Sequence, residues 1–332
     1  MDQAKAEQIV SELQCITRII YTGQIMELKP SATLLEKRIK PSDALPFIKK
    51  DAPGHALYYI VEGKAGVDVG QLEKIVIPPQ KTVGEMSMVS TILNAFDDMG
   101  TLESRTADVY AQEPMRLIVF NYSPLVEILK EKNPEFRKHR HQILINMNRI
   151  MFLKLMDVNH NFINILTNYG LSQEIQVAKY PLQLTEGMSR FFKKLRTIPN
   201  MSVSPHELRG VIIREGEPND SMIFLENGKV KVTMMVKKLA PIEENRDEII
   251  EFIPLDLLEA PMMVGESAIL NIGSIAGAQV ETLGKVVGFR MQVQKLLRHL
   301  QHYPDMFEEF FLLLLELNYF RTIKVMQKTT NL

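Results

Sequence analysis

Two stretches of the chain share a pattern in which apolar and polar residues alternate around a glycine. Residues 47–69 read FIKKDAPGHALYYIVEGKAGVDV, and residues 212–234 read IIREGEPNDSMIFLENGKVKVTM. In each stretch a proline turn precedes an apolar run, and a Gly-Lys pair separates that run from a second alternating run. Period-two alternation between turn residues predicts a pair of short antiparallel strands in each stretch.

The similarity between the two stretches continues downstream. At an offset of 165 residues, Pro53 aligns with Pro218 and Gly63 with Gly228. Two further pairs of segments match in the same order, VGEMSMV with VGESAIL at 83–89 and 264–270, and RTADV with AGAQV at 105–109 and 276–280. This internal repeat predicts two domains with one architecture. Short strands with glycine turns favour a small β-barrel or jelly roll in each domain.

Apolar residues recur at helical spacing elsewhere in the chain. The spacing predicts helices over residues 135–157 and 307–326, connecting helices over 159–176 and 186–198, and a helix in the first 20 residues. The helix over 307–326 is apolar on more than one face. We therefore expect it to be covered by its own barrel or buried in a homodimer, and homodimerisation is favoured.

Length, composition and charge bound the class of protein. The chain has 332 residues, of which 45% are hydrophobic and 24% charged, as in a globular protein of about two domains. A net charge of −1 provides no overall basic field for nucleic acid or an acidic membrane. The most apolar stretch, 310–317, is shorter than the ~20 residues needed to cross a bilayer. The single cysteine, Cys15, fits a reducing cytoplasm.

Arg105 lies between small residues at the start of a predicted strand. Its guanidinium can meet the two exocyclic oxygens of a cyclic phosphodiester with paired hydrogen bonds. Amides in the first turn of a short helix, around Met86 to Met88, would add donors to the same charge, and Gly84 would permit close backbone approach. Glu85 can accept a hydrogen bond from a ribose 2′-hydroxyl. The alternative is a surface arginine and a helix N-terminal acid.

The order of these elements resembles the cyclic nucleotide-binding domain family, the β-barrel with a phosphate-binding cassette found in catabolite activators and kinase regulatory subunits. The resemblance covers roughly residues 47–157 and 205–325. It implies an α+β fold with two tandem β-barrel or jelly-roll domains, each flanked by helices. The family gives Gly84, Glu85, Arg105 and Ala107 these same roles. With Met86, Ser87 and Thr106 of the same two segments, they are the predicted ligand-binding residues.

This interpretation divides the chain into three parts. Residues 1–157 are predicted to hold N-terminal helices and a first domain with a competent cassette at 83–109. Residues 158–204 are predicted to form a helical connector. Residues 205–332 are predicted to hold a second domain, with a degenerate cassette at 264–280 and a C-terminal helix.

The two cassettes differ in length and charge. Gly84 and Arg105 are 21 positions apart, whereas Gly265 and Ala276 are 11 apart, so the first cassette holds about ten extra residues within 90–103. These could form a lid or a loop that reshapes the pocket. Because Ala276 stands where the first copy has its arginine, we expect one ligand per chain. In the family described above, a threonine after the arginine leans toward guanine, and the hydroxyl of Thr106 can accept from the guanine 2-amino group. The equal alternative is a β-branched residue that suits the start of a strand, so cGMP is favoured only slightly over cAMP.

Other candidate chemistry in the sequence is weak. His139 and His141 point apart on a helix, and His299 and His302 have no third ligand nearby, so we expect no metal. The basic run at 190–196, RFFKKLR, favours a solvated helix face with two inward phenylalanines over a nucleic-acid contact. No Ser/His/Asp or Cys/His arrangement has catalytic spacing, so an enzyme is not expected.

The sequence therefore predicts a non-catalytic sensor of cGMP or cAMP. Ligand in the first domain would reposition the helix at 135–157 and alter contact with an effector protein that the sequence does not identify. One rival is a DNA-binding regulator of the catabolite activator type, although the C-terminus gives no helix-turn-helix. A second is a kinase regulatory subunit, although no Arg-Arg-x-Ala or Arg-Arg-x-Ser pseudosubstrate precedes the first barrel. A third is a scaffold whose pockets are both empty.

Overall fold

The structure is a computed structural model. It describes residues 34–39, 46–68, 75–96, 105–121, 129–130, 133–134, 137–171, 176–199, 201, 203–239, 248–270 and 275–330. The helix predicted in the first 20 residues, Cys15 and the insertion residues 97–103 lie outside this set. The chain forms two compact units, unit 1 with residues 1–151 and 326–332, and unit 2 with residues 152–325. The domain boundaries after residues 157 and 204 stay predictions.

Unit 1 contains two antiparallel sheets and a cassette helix. Its elements are β1 (Leu34–Ile39), β2 (Ala56–Glu62), β3 (Ala65–Asp68), β4 (Ile75–Ile77), β5 (Thr82–Val83), α1 (Glu85–Phe96), β6 (Asp108–Ala111) and β7 (Met115–Asn121). One sheet has the order β1-β7-β2-β5 and the other β4-β3-β6. Inward apolar residues of both sheets share one core, formed by Ile48, Ile60, Ala65, Val83, Val109, Met115 and Leu117.

Unit 2 is built around longer strands. Its elements are α3 (Leu182–Thr197), β8 (His206–Leu208), β9 (Val211–Ile213), β10 (Ser221–Leu239), β11 (Glu248–Glu259), β12 (Met262–Val264), α4 (Glu266–Leu270), β13 (Gln279–Gln292), α5 (Val293–His302) and the part of α6 (Pro304–Thr330) up to Val325. The sheet order is β11-β10-β13-β8, with β12 on β10 and β9 on β13. The ring of Phe192 packs edge-on against that of Phe224, with 5.3 Å between centroids. The ring of Phe224 stacks on that of Phe289, with 4.9 Å between centroids. The predicted α+β class is confirmed.

Gly63 and Gly228 do not form the hairpin turns that the alternation predicts. β2 pairs with β5 and β7, whereas β3 pairs with β4 and β6, so the strands on either side of Gly63 are not partners. In unit 2 the corresponding residues form one strand, β10, with register shifts on either side of Asn227. A glycine within alternating residues marks either a turn or a bend. Here a side chain would press against neighbouring backbone, since a Cβ on Gly63 or Gly228 would lie 2.5 Å from a backbone oxygen.

The long strand β11 lies at the end of its sheet within the described residues. Pro254 pairs with Thr233 on β10, and the register shifts between Val232 and Thr233. Leu257 is bridged on its other side by Val177, and the amide of Ala178 donates to the carbonyl of Leu257 at 2.8 Å. Ile250 and Phe252 are exposed.

The helix predicted over 135–157 is longer in the structure. α2 runs from Arg137 to Tyr169 and ends at Gly170, whose φ of 61° is typical of a residue that follows a helix. Buried apolar residues continue past 157 at helical spacing, with Phe162 and Leu166 following Val158. The segment predicted as a separate helix from 159 is therefore a continuation of α2 as far as Tyr169.

Helix α6 is buried on more than one face within the single chain. Phe310, Phe311, Leu314 and Leu315 are at most 1% exposed. The ring of Phe310 lies 5.5 Å from that of Phe191 on α3. The apolar faces that favoured homodimerisation are thus covered by the chain itself, and homodimerisation stays a prediction. No described helix combines the length and hydropathy of a membrane span.

Candidate functional site

The cassette of unit 1 begins at Gly84, a position where a side chain would be strained. Gly84 has a φ of 95° and directly precedes α1. A Cβ there would lie 3.1 Å from the carbonyl oxygen of Ala56 and well inside contact distance of the Arg105 guanidinium. Glycine therefore both permits the turn and makes room for the arginine.

Arg105 is buried, with only 7% of its surface exposed. Its Nη1 donates to the carbonyl oxygen of Gly84 at 3.1 Å, and its Nη2 donates to that of Ala56 at 2.6 Å. Its Cζ lies 5.9 Å from the centroid of the Tyr58 ring. The guanidinium is therefore fixed beside the start of α1. The interpretation of Arg105 as an exposed surface residue is wrong.

The other predicted site residues lie on the same two segments. Glu85 opens α1 and is 2% exposed, and Met86 and Ser87 are also buried. Ser87 donates through its hydroxyl to the carbonyl oxygen of Gly84 at 3.1 Å. Thr106 is half-buried and Ala107 buried, just before β6. The structure joins Arg105, Gly84 and Ser87 through one carbonyl group, and the role of all seven as a ligand site stays a prediction.

The backbone around Arg105 has a counterpart in unit 2. Arg105 donates its amide to Ala52 at 3.0 Å and accepts from the amide of Asp51 at 2.9 Å. Ala276 makes the same two bonds, donating to Glu217 at 3.0 Å and accepting from Gly216 at 2.9 Å. Residues 216 and 217 follow 51 and 52 by the 165-residue offset of the repeat. Gly265, with a φ of 92°, precedes α4 as Gly84 precedes α1.

Unit 2 supplies its cation from a different element. Arg321 on α6 forms an ion pair through Nη1 with the Oε1 of Glu266, and its Nη2 donates to the carbonyl oxygen of Met263 at 2.8 Å. Burial disfavours the charge of Arg321, but Glu266, Tyr180 and Asp256 outweigh it, so the pKa of Arg321 lies above its usual value. Burial likewise raises the pKa of the Tyr180 hydroxyl, which donates to Asp256.

Sequence reasoning did not find Arg321. A signal was present, because Phe310, Leu314, Leu317 and Arg321 recur at helical spacing and so share one apolar stripe of α6. An arginine on a buried stripe requires a buried acceptor. The sequence does not reveal that the acceptor is Glu266, which lies 55 residues earlier.

A cavity of about 100 Å³ lies next to this ion pair in unit 2. Gly265, Glu266 and the segment 276–278 line it on one side, and Phe152, Leu155 and Met156 of α2 line it on another. A Cβ on Gly277, the counterpart of Thr106, would lie 2.6 Å from the terminal methyl of Met156. The end of the Met156 side chain, on α2, therefore occupies the space that a side chain at 277 would need.

The structure also bears on the basic run and on metal binding. The basic run 190–196 has Phe191 and Phe192 buried, while Lys194 pairs with Glu309 at 2.7 Å and Arg196 with Glu226 at 3.4 Å. Its charges are thus largely met within the chain. Among the described residues, no cluster of three His, Cys, Asp or Glu side chains is placed to hold a metal ion.

Comparison with known proteins gives matches to solved structures alone. No family model matches the chain. No curated protein sequence matches it either.

Two kinase regulatory proteins and a catabolite activator protein are among the structures it matches. The cAMP-bound regulatory domain of Toxoplasma gondii PKA is 15% identical, with 92% of this chain and 95% of that one covered and a TM-score of 0.29. The regulatory subunit of a cAMP-independent protein kinase A from Trypanosoma brucei is 15% identical. The match covers 100% of this chain and 93% of that one, with a TM-score of 0.28. The catabolite activator protein of Thermus thermophilus is 11% identical. The match covers 39% of this chain and 51% of that one, with a TM-score of 0.26.

The chain is thus similar to solved structures that include cyclic nucleotide-binding proteins. Scores and identities of this size carry no residue roles from one protein to another. The ligands and partners of these proteins therefore remain theirs, and the geometry of the chain's own two cassettes is the basis for its function.

Proposed function

We propose that the chain is a non-catalytic cyclic nucleotide sensor with two cyclic nucleotide-binding domains in tandem, of which the first binds ligand. Gly84, Glu85, Met86, Ser87, Arg105, Thr106 and Ala107 form its site. The ligand is cGMP or cAMP, with Thr106 favouring cGMP. Ligand binding biases the position of the start of α2 and so changes contact with an effector protein.

The observation that carries this proposal is the buried guanidinium of Arg105 beside the N-terminus of α1. A guanidinium has five N–H donors in one plane, and bonds to Gly84 and Ala56 fix that plane. The first-turn amides of a 12-residue helix favour negative charge at the same place. Glu85, next in sequence to Gly84, is an acceptor within the same turn. One cyclic phosphate and one ribose hydroxyl would use both groups.

The test is a calorimetric titration of the full chain with cAMP and with cGMP. We expect one site per chain. Arg105→Ala should weaken binding by about 30-fold to several thousand-fold, because losing one member of a buried charge pair costs ~2–5 kcal/mol. Arg105→Lys should recover part of this, since an ammonium cannot reproduce the fork. Glu85→Gln should cost less, because its amide oxygen still accepts from a hydroxyl.

Arg116→Ala is a matched control. Arg116 is on β7 of the same unit and pairs with Glu62 at 2.6 Å, so its removal also deletes an arginine and an ion pair. It should leave affinity unchanged. An effect of less than threefold for Arg105→Ala in a folded protein would contradict the proposal. Circular dichroism and thermal unfolding of each variant report the fold.

A second candidate function is a scaffold with empty pockets. It is favoured by the two bonds from Arg105 to carbonyl oxygens of its own unit, which are also what a structural arginine makes. In that case neither nucleotide binds to the wild-type chain, and Arg105→Ala lowers thermal stability with no ligand to lose.

A further inference from the structure

The pocket of unit 2 contains an arginine from outside its cassette. Arg321 lines the cavity together with Gly265, Glu266 and Ala276. The side chains of Arg321 and Glu266 are 9% and 11% exposed, so their ion pair is nearly dehydrated. The second bond of Arg321, to the carbonyl oxygen of Met263, holds the guanidinium against the strand that leads into the cassette.

Glu266 occupies the place in unit 2 that Glu85 occupies in unit 1. Each is the first residue of its helix, each follows a glycine with φ above 90°, and each is buried. If Glu85 accepts from a ribose hydroxyl, Glu266 is the equivalent acceptor. Arg321 is hydrogen-bonded to the Oε1 of that acceptor, so a ligand hydroxyl would compete with the guanidinium for the carboxylate.

The charges in this pocket also disfavour a phosphate. Three charged side chains line the cavity among the described residues. Glu266 and Asp256 are acidic, and Arg321 is basic. The positive charge of Arg321 is already compensated by these carboxylates. A cyclic phosphodiester would bring a further negative charge, and it would separate a buried ion pair whose members cannot regain water.

We propose that Arg321 is the specificity-determining residue of the second pocket. Its ion pair with Glu266 takes the place of a ligand contact and so excludes cyclic nucleotide. The absence of an arginine at position 276 and the presence of one at 321 are two separate barriers. Both must be removed before the second pocket can bind. This inference rests on the proposed function, since it takes the role of Glu85 from there.

The opposite role for Arg321 is a relocated phosphate cation. The two roles make opposite predictions about stoichiometry, which calorimetry with cAMP and cGMP can count. We expect one site per chain in the wild type, in Ala276→Arg and in Arg321→Ala, and two sites in the double variant Ala276→Arg/Arg321→Ala. A double variant with Lys324→Ala in place of Arg321→Ala is the matched control, because Lys324 is on the same helix and contacts the Tyr180 ring at 4.3 Å. It should bind one.

Three results would overturn the inference. Two sites in the wild type, reduced to one by Arg321→Ala, would make Arg321 the phosphate cation. Two sites in Ala276→Arg alone would show that Arg321 excludes nothing. One site in a folded double variant would place the barrier elsewhere, for example at Met156.

The wild type, the two single variants and the double variant Ala276→Arg/Arg321→Ala are also made with Arg105→Ala added, which separates this inference from the proposed function. There the double variant should bind one nucleotide and the other three none. If the wild type binds nothing while the double variant binds one, the first site fails and the role of Arg321 stands. If the wild type binds one and the double variant also binds one, the first site stands and the role of Arg321 fails.

A measurement on the wild-type chain covers the case of a double variant that does not fold. Amide hydrogen exchange is followed with and without saturating cAMP or cGMP. We expect exchange to slow at the start of α1 and to stay unchanged across residues 262–270. Slower exchange across 262–270 would overturn the exclusion of ligand from the second pocket.

Discussion

The two cassettes share a pair of backbone bonds, around Arg105 and Ala276, but each takes its buried arginine from a different element. In unit 1, Arg105 is part of the cassette and donates to the carbonyl oxygens of Gly84 and Ala56. In unit 2, Ala276 stands at that position, and an arginine from α6 pairs with the cassette glutamate instead. The paired backbone bonds of Arg105 and Ala276 show that the cassette backbone does not depend on which side chain is present. Charge placement therefore varies while the frame is kept.

The largest expected effect concerns the ion pair of unit 2. Arg321→Met or Glu266→Gln should each destabilise unit 2 by about 3–5 kcal/mol, because each leaves a buried group without its partner. The double variant Arg321→Met/Glu266→Met should recover much of this loss, since apolar side chains need no counter-charge. Urea unfolding measures all three.

The control for this prediction is Glu309→Gln, which breaks the more exposed pair between Lys194 and Glu309. Exposed pairs contribute about 0–1 kcal/mol, so its effect should be small. Equal effects of Glu309→Gln and Glu266→Gln would mean that the pair in the pocket is not special.

The next effect compares the glycines that open the two cassettes. Both have positive φ, so alanine at either should cost about 1–3 kcal/mol in backbone strain. Gly265→Ala should cost more, because its Cβ would lie 2.6 Å from the backbone oxygen of Ser221, which cannot move freely. Gly84→Ala instead presses mainly on the guanidinium of Arg105, the end of a long side chain, so it should weaken nucleotide binding more than stability.

Gly216→Ala is the control for backbone strain alone, since its φ is 77° and no atom lies within 4 Å of an added Cβ. Thermal unfolding and calorimetry on the three variants separate strain, steric clash and loss of the cation. A Gly84→Ala variant that binds cyclic nucleotide as well as the wild type would contradict the placement of Arg105 in the site.

The smallest expected effect tests the choice of base in unit 1. If Thr106 accepts a hydrogen bond from the guanine 2-amino group, Thr106→Ala should weaken cGMP by about fivefold, for ~1 kcal/mol, and leave cAMP unchanged. Thr106→Ser keeps the hydroxyl and should behave like the wild type. Equal loss for both nucleotides would mean that Thr106 acts on the strand and not on the base.

Local signals in the sequence located both cassettes but not the arginine that enters the cassette of unit 2. Gly84, Glu85 and Arg105 could be recognised because they are close in sequence and recur in a known order. Arg321 and Glu266 meet through tertiary packing, which no local pattern encodes. The end of α2 was also predictable in principle, because its described span contains no glycine or proline before Gly170. At Gly63 and Gly228, alternation fits a turn and a bend equally, so sequence alone could not choose.

The edge formed by β11 has a consequence for solubility. A long strand edge is a template on which another chain can add a strand, and Ile250 and Phe252 make this one more adhesive. Pro254 offers no amide to an incoming strand, the register shift opposite it distorts the edge, and Val177 covers the position at Leu257. We expect these features to hinder the addition of another strand at this edge. Replacing Pro254 with valine would restore a donor in the middle of the exposed edge, and the protein should then precipitate at lower concentration without losing its fold.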